Sequence, residues 1–317
     1  MMYNIGVDIG GTNLAIGLVD EKLNIAGRAS VPFPKEGGGA ETARLIYHMT
    51  AELLEKAGAD ISQLESVGVV VPGSIDATGS IVINAYNLGF HNEPLKARIQ
   101  SHFPNTPVFM ANDANGAALA ELYKGAFMGC STAALLTLGT GVGGGLILGG
   151  RMFNGGMNNG VEIGHSLLVS GGRYCTCGNY GCVEAYCSAS ALKQEGIKAM
   201  ASHPQSMLNK RTGGKEERMN AKVVIDCARE GDEAALKIFN EYVDHLGSAV
   251  ASLINILDCQ CVAIGGGVCG AGEFLFEPLR ENVHKKSFFE HHGRVVPAVM
   301  GNDAGIIGAA MLKRNQE

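Results

Sequence analysis

Several features that mark other classes of protein are missing from this sequence. No stretch of 18 apolar residues occurs, so we expect no membrane span. The N-terminus, MMYNIGVDIGG, lacks a charged region followed by an apolar stretch, so we expect no signal peptide. No basic run stands out, and 25 Lys and Arg face 31 Asp and Glu, so nucleic-acid binding is not indicated. These absences favour a cytoplasmic protein that acts on small molecules.

The cysteines do not form an obvious disulfide framework. There are nine, which is an odd number, and the chain carries no export signal. Reduced thiols or metal ligands are therefore expected rather than disulfides.

Length and glycine content are the first positive signals. A chain of 317 residues is long for one small core and suggests two domains. Glycine occurs 45 times, mostly in clusters, which is typical of loops that let the backbone approach a ligand closely.

Apolar periodicity predicts an alternation of strands and helices. Strands are predicted at residues 3–9, 14–19, 23–31, 67–71, 108–111, 133–138, 146–148 and 262–264, and helices at 41–57, 114–123, 236–257 and 304–312. The helix from Leu236 repeats apolar residues at steps of three and four, which indicates one buried face or, alternatively, a dimer seam. Residues 200–215 are polar and are predicted to be an irregular surface segment.

Two glycine turns after predicted strands have the chemistry of phosphate loops. The first contains Asp8, Gly10, Gly11, Thr12 and Asn13: its glycines leave N–H groups free, Thr12 adds a hydroxyl, and Asp8 can hold Mg²⁺. A plain hairpin turn with Asp8 as a capping residue is the alternative.

The second turn, with Gly139, Thr140 and Gly141, repeats this strand-turn-strand unit and suggests two related lobes. It matches neither the P-loop nor the dinucleotide-binding pattern. A third glycine run, Gly265, Gly266 and Gly267, follows another strand and favours contact with adenine or ribose, unless it only allows a helix to cross a strand closely.

Asn112 and Asp113 stand between a strand and a helix, where α/β sheets place ligand clefts. A kinase acting on an alcohol needs a carboxylate to accept the hydroxyl proton and a polar group to orient the substrate. Asp113 suits the first role and Asn112 the second. Alternatively, the pair caps the following helix.

His165, Cys175, Cys177 and Cys182 form a Cys₃His set within eighteen residues, which suits a closed, structural Zn²⁺ site. Free buried thiols are the alternative. Zinc would stiffen the segment and position Glu162 and Glu184, whose carboxylates suit sugar hydroxyls. The other six cysteines are interpreted as structural.

These segments resemble the ROK family of bacterial sugar kinases and sugar-responsive repressors over nearly the whole chain. The matching motifs are DIGGTN from Asp8, NDAN from Asn112, LGTGVGGG from Leu138, EIGH from Glu162, CTCGNYGCVE from Cys175 and NDAGIIGAA from Asn302.

The resemblance implies an α/β, actin-like (ribonuclease H-like) ATPase fold with two lobes and a cleft between them. A small lobe would comprise residues 1–115 and the C-terminal helix 303–317, and a large lobe residues 116–302 with the zinc segment 165–182. It implies an ATP-dependent hexose kinase, glucokinase-like, using Mg²⁺ and structural Zn²⁺ and forming a homodimer or homotetramer.

The resemblance also implies residue roles. Asp113 would be the catalytic base, and the turns at Asp8–Asn13 and Gly139–Gly141 would hold phosphates. Sugar contacts would come from Gly73, Asn87, Asn112, Asp113, Glu162, His165 and Glu184.

Relatives often have Trp where this chain has Phe90, and the chain contains no Trp, which leaves the sugar open. Glucose is the leading substrate, with N-acetylmannosamine, N-acetylglucosamine, allose, fructose or a β-glucoside as alternatives. A sugar-sensing regulator would carry a DNA-binding domain before the first motif, and we expect none ahead of Asp8.

Overall fold

Each strand and helix predicted from the apolar pattern has a counterpart in the structure, which also contains strands and helices that were not predicted. The computed structural model describes residues 1–156 and 160–316. The strands are β1 (Tyr3–Ile9), β2 (Asn13–Asp20), β3 (Ile25–Pro32), β4 (Leu64–Val71), β5 (Ser74–Ile75), β6 (Val82–Ala85), β7 (Phe90–Glu93), β8 (Val108–Asn112), β9 (Thr132–Leu138), β10 (Val142–Leu148), β11 (Arg151–Phe153), β12 (Cys261–Gly265) and β13 (Arg294–Pro297). The helices are α1 (Gly38–Lys56), α2 (Leu95–His102), α3 (Asp113–Lys124), α4 (Glu184–Cys187), α5 (Ala189–Ser202), α6 (Met207–Thr212), α7 (Ala221–Arg229), α8 (Glu233–Leu257), α9 (Glu273–Lys286), α10 (Ala304–Ala310) and α11 (Leu312–Gln316).

The chain divides into two units. The first contains residues 1–131, 145–161 and 299–317, and the second contains residues 132–144 and 162–298. The lobe boundaries predicted from the sequence stay a prediction. Residue 317, the end of the predicted C-terminal helix, lies outside the described residues.

The first unit is built on a five-stranded sheet in the order β3-β2-β1-β4-β8. β1, β2 and β3 are antiparallel, whereas β4 and β8 run parallel to β1. β1 is buried at every residue except Asp8, as a central strand covered on both faces requires. Helix α10 packs against β1 and β4, and helix α3 packs against α10. The sheet therefore carries the end of the chain as well as its beginning.

The second large sheet has the order β11-β10-β9-β12-β13, which repeats the first. Its parallel strands are β9, β12 and β13, in the positions that β1, β4 and β8 occupy in the first sheet. The chain passes from the second unit to the first within β10, whose last residues pair with β11. The strand-turn-strand unit noticed twice in the sequence is thus the start of two sheets with the same topology.

Helix α8 confirms the long helix predicted from Leu236. Phe239, Val243, Leu246 and Val250 on its apolar face are buried within the second unit, where α8 packs against α7 and α9. The middle of the predicted seam is therefore covered by the protein's own helices. No helix in the described part of the chain is both long and apolar enough to cross a bilayer.

The prediction of an irregular surface segment at residues 200–215 was wrong. Helix α5 continues to Ser202, and α6 follows with Leu208 and Thr212 fully buried. The Ser206 side chain caps α6 by accepting a hydrogen bond from the Leu208 N–H at 3.1 Å. The helix has six residues, too few to show a clear apolar period.

Candidate active site

Asn112 and Asp113 lie at the junction of β8 and α3, at the carboxyl end of a parallel strand. Asn112 is the helix N-cap: its Oδ1 accepts a hydrogen bond from the Ala114 N–H at 2.9 Å, and its Nδ2 donates to the Gly73 carbonyl at 3.0 Å. Asp113 is the first residue of the helix, and its Oδ1 also accepts from the Ala114 N–H, at 2.8 Å. Asn112 therefore does cap the helix, as the alternative predicted, and this cap fixes the position of Asp113 at the start of α3.

Two carboxylates of the first unit have raised pKa values. The Asp113 side chain keeps contact with water, but the surrounding protein atoms desolvate it and raise its pKa, while hydrogen bonds from the backbone N–H groups of Ala114 and Asp113 oppose the rise. Burial raises the pKa of Asp8 to about 6, and the negative charge of Asp113 adds to this. Asp113 is therefore a better proton acceptor than an aspartate in water.

The first glycine turn joins β1 to β2 directly after Asp8. The Gly10 N–H donates to the Asn13 carbonyl at 2.8 Å, which closes the turn. Thr12 and Asn13 are exposed. A Cβ on Gly11 would lie 3.4 Å from the Cβ of Asn87, so the structure brings Asn87 beside this turn.

Gly73 lies where only glycine fits. Its φ is +94°, and a Cβ at this position would run into the Asn84 carbonyl oxygen. Its own carbonyl accepts the hydrogen bond from Asn112. Two residues predicted to contact the sugar are therefore in direct contact.

In the second unit, the turn at residues 139–141 closes with a hydrogen bond from the N–H of its first glycine to the carbonyl of its last, at 3.0 Å. The Ser190 hydroxyl donates to the Thr140 carbonyl at 2.7 Å and ties the turn to helix α5. A Cβ on Gly139 would meet nothing within 4 Å, whereas one on Gly141 would run into the Glu184 carboxylate.

The third glycine run packs against the second. Gly265 ends β12, and Gly267 begins a 3₁₀ turn that precedes α9. Between them Gly266 has φ +87°, and a Cβ there would collide with the Leu138 backbone, just before the turn at residues 139–141. The close crossing offered as an alternative thus exists between two strand ends, and it places both glycine runs side by side.

Glu184 connects the second glycine turn to the cysteine segment. One carboxylate oxygen accepts from the Val142 N–H at 3.0 Å, and the other accepts from the Thr176 hydroxyl at 2.8 Å. The oxygen that accepts from Thr176 also lies 3.7 Å from the Cys175 Sγ, whereas the other oxygen can accept a second hydrogen bond, so Glu184 keeps capacity for a ligand. Glu162 is exposed and immediately precedes the 3₁₀ turn Ile163–His165.

His165 and the three cysteines of the predicted set form one cluster. Their ligand atoms all lie within 4.8 Å of one another. The His165 Nδ1 is 3.6 Å from the Cys175 Sγ, and the Cys177 and Cys182 Sγ atoms are also 3.6 Å apart. Tetrahedral zinc with Zn–S bonds of 2.3 Å requires sulfur atoms about 3.8 Å apart, so the donor set fits zinc in chemistry and spacing.

Sequence reasoning missed three residues that complete these arrangements. Asn115 is buried one helical turn after Asn112, and its Nδ2 donates to the Asn154 Oδ1 at 3.3 Å. Thr176 and Ser190 orient Glu184 and the second glycine turn. Only Asn115 carried a signal, because it follows Asn112 by three residues in NDAN and so shares its helix face.

Comparisons with known proteins agree with the motifs. The ROK family matches residues 4–316. Glucokinase of Thermotoga maritima is 38% identical over 97% of this chain and 96% of its own length, and glucokinase of Halalkalibacterium halodurans is 34% identical over 99% and 96%. The crystal structure of a ROK family glucokinase from Streptomyces griseus in complex with glucose and AMPPNP covers 98% of both chains, with 33% identity and a TM-score of 0.80.

These likenesses decide the fold and the family. The predicted α/β, actin-like ATPase fold is confirmed, with the two sheets of equal topology described above. The family match spans nearly the whole chain. This protein therefore belongs to the ROK family.

Proposed function

We propose that this protein is an ATP-dependent sugar kinase whose leading substrate is glucose, converted to glucose 6-phosphate. The observation that carries the proposal is Asp113, a carboxylate with a raised pKa at the carboxyl end of a parallel strand. Relatives named glucokinase, alike over the full chain, support the reaction and the sugar. N-acetylmannosamine, N-acetylglucosamine, allose, fructose and β-glucosides are the alternative substrates.

The base acts on the sugar. As the sugar oxygen attacks the terminal phosphorus of ATP, its proton passes to the Asp113 carboxylate, the bond from phosphorus to the bridging oxygen breaks, and ADP leaves. The N-cap hydrogen bonds of Asn112 hold the start of α3 in place, so the carboxylate keeps one position through the reaction.

The glycine turns bind the nucleotide. Gly10 and Gly139 close the turns with their own N–H groups, and their lack of a side chain lets phosphate approach. Gly11, Thr12 and Asn13, and likewise Thr140 and Gly141, offer N–H groups to phosphate oxygens, and Gly265–Gly267 lets adenine or ribose approach the backbone. Asp8, which is mostly ionised at neutral pH, would hold Mg²⁺ through water. When bound, Mg²⁺ neutralises charge on the transferred phosphoryl group.

The sugar is held by amides and carboxylates. The proposed contacts are Gly73, Asn87, Asn112, Asp113, Glu162, His165 and Glu184. Carboxylates that accept hydrogen bonds from hydroxyl groups discriminate strongly against sugars that lack them.

The Cys₃His cluster holds structural zinc. Cys175, Cys177, Cys182 and the Nδ1 of His165 would fill all four positions, so the metal takes no part in the chemistry. Bound zinc would fix the segment that carries Thr176, and thereby the hydrogen bond from Thr176 to Glu184.

Three broader features belong to the same proposal. The small lobe is residues 1–115 with helix 303–317, and the large lobe is residues 116–302. The protein works in the cytoplasm, where ATP is supplied, and assembles as a homodimer or homotetramer. Cell fractionation and light scattering on the purified protein test location and assembly.

A coupled ADP-release screen over hexoses and amino sugars tests the function. We expect the highest kcat/KM for glucose. Asp113→Asn should lower kcat by about 10²- to 10⁴-fold and leave sugar affinity nearly unchanged, because only the proton acceptor is lost. Asp20→Asn makes the same chemical change in an exposed turn and should leave kcat unchanged. Full activity of Asp113→Asn would refute the base, and sugar binding without turnover would favour a sensor over a kinase.

A further inference from the structure

A small cavity in the first unit adjoins the residues proposed to bind the sugar. Its volume is about 30 Å³, and Gly73 and Asn112 line it together with Asn115 and Asn154. Gly73 and Asn112 are both proposed sugar contacts. The cavity thus shares two lining residues with the proposed sugar site, whereas neither Asn115 nor Asn154 has been assigned a role there.

Asn115 has unused hydrogen-bonding capacity. Its side chain belongs to a residue that is 3% exposed, and its Nδ2 reaches the Asn154 Oδ1 at a long 3.3 Å. Its Oδ1 is buried and has no donor among the described residues. A buried acceptor without a donor costs about 1–3 kcal/mol and is rare in native proteins, so an ordered water or a ligand is needed to supply the donor here.

The neighbouring amide of Asn112 differs, because both of its polar atoms already have a partner within the protein. Asn112 uses its Oδ1 for the Ala114 N–H and its Nδ2 for the Gly73 carbonyl. Both hydrogen bonds hold the start of helix α3. Asn112 can still offer its second lone pair and second N–H to the sugar, but of the two amides on this face of α3 only Asn115 has an oxygen that no donor of the described residues reaches.

The size of the cavity limits what it can take. One water-sized group needs about 10–15 Å³, so about two such groups fit. A hydroxyl or hydroxymethyl substituent is of this size, whereas an acetamido group has four non-hydrogen atoms and does not fit. Ile75 and Met110 on the wall offer no further polar partner.

We propose that Asn115 is a sugar-binding residue, and that its amide accepts a hydrogen bond from a hydroxyl of the hexose that Asp113 deprotonates. Asn154 orients the amide, and the cavity selects a hydroxyl over an acetamido substituent at that ring position. This inference rests on the proposed kinase function and deepens it, because it favours unsubstituted hexoses over N-acetylated ones.

The test measures kcat/KM of the wild-type protein and of Asn115→Ala for glucose and its 1-, 2-, 3- and 4-deoxy analogues. For one analogue, the one that lacks the hydroxyl bound by Asn115, the kcat/KM of the wild type should be about 10- to 100-fold lower than for glucose. Asn115→Ala should lose a similar factor on glucose and nothing further on that analogue, while it still responds to the other deoxy positions. N-acetylhexosamines should be poor substrates of the wild type.

Asn282→Ala provides the matched control. Asn282 is the other residue whose buried Oδ1 lacks a donor in the described chain, but it lies in α9 and does not line this cavity. Its substitution should leave the pattern over the analogues unchanged. Asn115→Asp keeps the shape and the acceptor, and should retain more activity on glucose than Asn115→Ala if the latter folds poorly.

The outcomes separate the inference from the function. An equal loss for glucose and all four analogues in Asn115→Ala means that the amide only supports the fold or binds a fixed water, and overturns the inference. An Asn115→Ala variant whose kcat/KM for glucose equals that of the wild type also overturns the inference. If the wild type phosphorylates no hexose, the kinase proposal fails, and the same pattern measured in sugar dissociation constants decides the role of Asn115.

Discussion

Glu121 ties helix α3, which carries Asp113 at its start, to the segment that leads into the C-terminal helix. The residue is 1% exposed. One carboxylate oxygen accepts from the N–H groups of Val299 and Met300, both at 2.9 Å, and the other accepts from the Ala126 N–H at 2.7 Å. A single side chain thus satisfies three backbone donors that would otherwise lie unpaired at a chain crossing.

Replacing Glu121 by Ala removes all three hydrogen bonds at once. Each hydrogen bond to a charged group contributes about 1.5–3 kcal/mol, but burying the carboxylate has its own desolvation cost, and water can reach part of the exposed Val299. The expected loss in the free energy of unfolding is therefore about 3–5 kcal/mol. Glu121→Gln keeps one carbonyl oxygen and should lose about 1–2 kcal/mol.

Urea unfolding followed by far-ultraviolet circular dichroism measures these losses. Glu52→Ala is the matched control, because Glu52 is an exposed helical glutamate whose ion pair with Lys56 spans 3.9 Å, and it should change stability by less than about 0.5 kcal/mol. A Glu121→Ala protein as stable as Glu52→Ala would refute the reasoning. We also expect the Ala variant to lose activity in proportion to its unfolded fraction and not beyond it.

Three further results are expected. The pKa of Asp8 is about 6 in the native protein against 3.8 for an unperturbed aspartate, so between these pH values the native state holds a proton that the unfolded chain has lost. The free energy of unfolding should therefore fall as pH rises from 3.8 to about 6. Asp8→Asn should flatten this fall when urea unfolding is measured at several pH values, and an unchanged slope would contradict the raised pKa. The raised pKa of Asp113 should place the acid limb of kcat/KM above the ordinary aspartate value of 3.8, and a limb at or below 3.8 would contradict it as the base. Metal analysis should find about one zinc per chain in the wild type. Cys182→Ser should lose the zinc and some thermal stability, whereas Cys130→Ser, which lies outside the cluster, should keep the metal. A wild-type protein that is stable without metal would exclude the zinc site.

Long periodic elements were predictable because their burial is visible in the sequence. The strand at residues 3–9 has the bounds of β1, and the helix at 41–57 lies within three residues of α1 at each end. The short strands β5, β6 and β7 were missed, since two to four residues cannot show an alternating pattern. They matter because β5 begins directly after Gly73.

The parts of the candidate site that form a sequence motif could be predicted, whereas contacts between residues far apart in the sequence could not. The cysteine cluster and the two glycine turns could be recognised from residue type and spacing. Asn154 gave no such signal, because its contact with Asn115 crosses 39 residues of sequence. Phe90, at which the chain departs from relatives with Trp, is buried against Phe33 at a ring separation of 5.8 Å. Phe90 is therefore part of the apolar core of the first unit.

Glycine in this chain has two separate uses, and only one was visible in the sequence. The clusters form turns with free N–H groups, but single glycines elsewhere let helix α10 lie directly on the first sheet. A Cβ on Gly6 or Gly68 would collide with carbonyl oxygens of α10, and one on Gly308 would collide with the backbone of α3 at Gly116. A Cβ on Gly305 would likewise run into the Asp8 carboxylate. Because α10 must approach this closely for Asp8 to be desolvated, these isolated glycines help set the pKa of a carboxylate proposed to hold the metal.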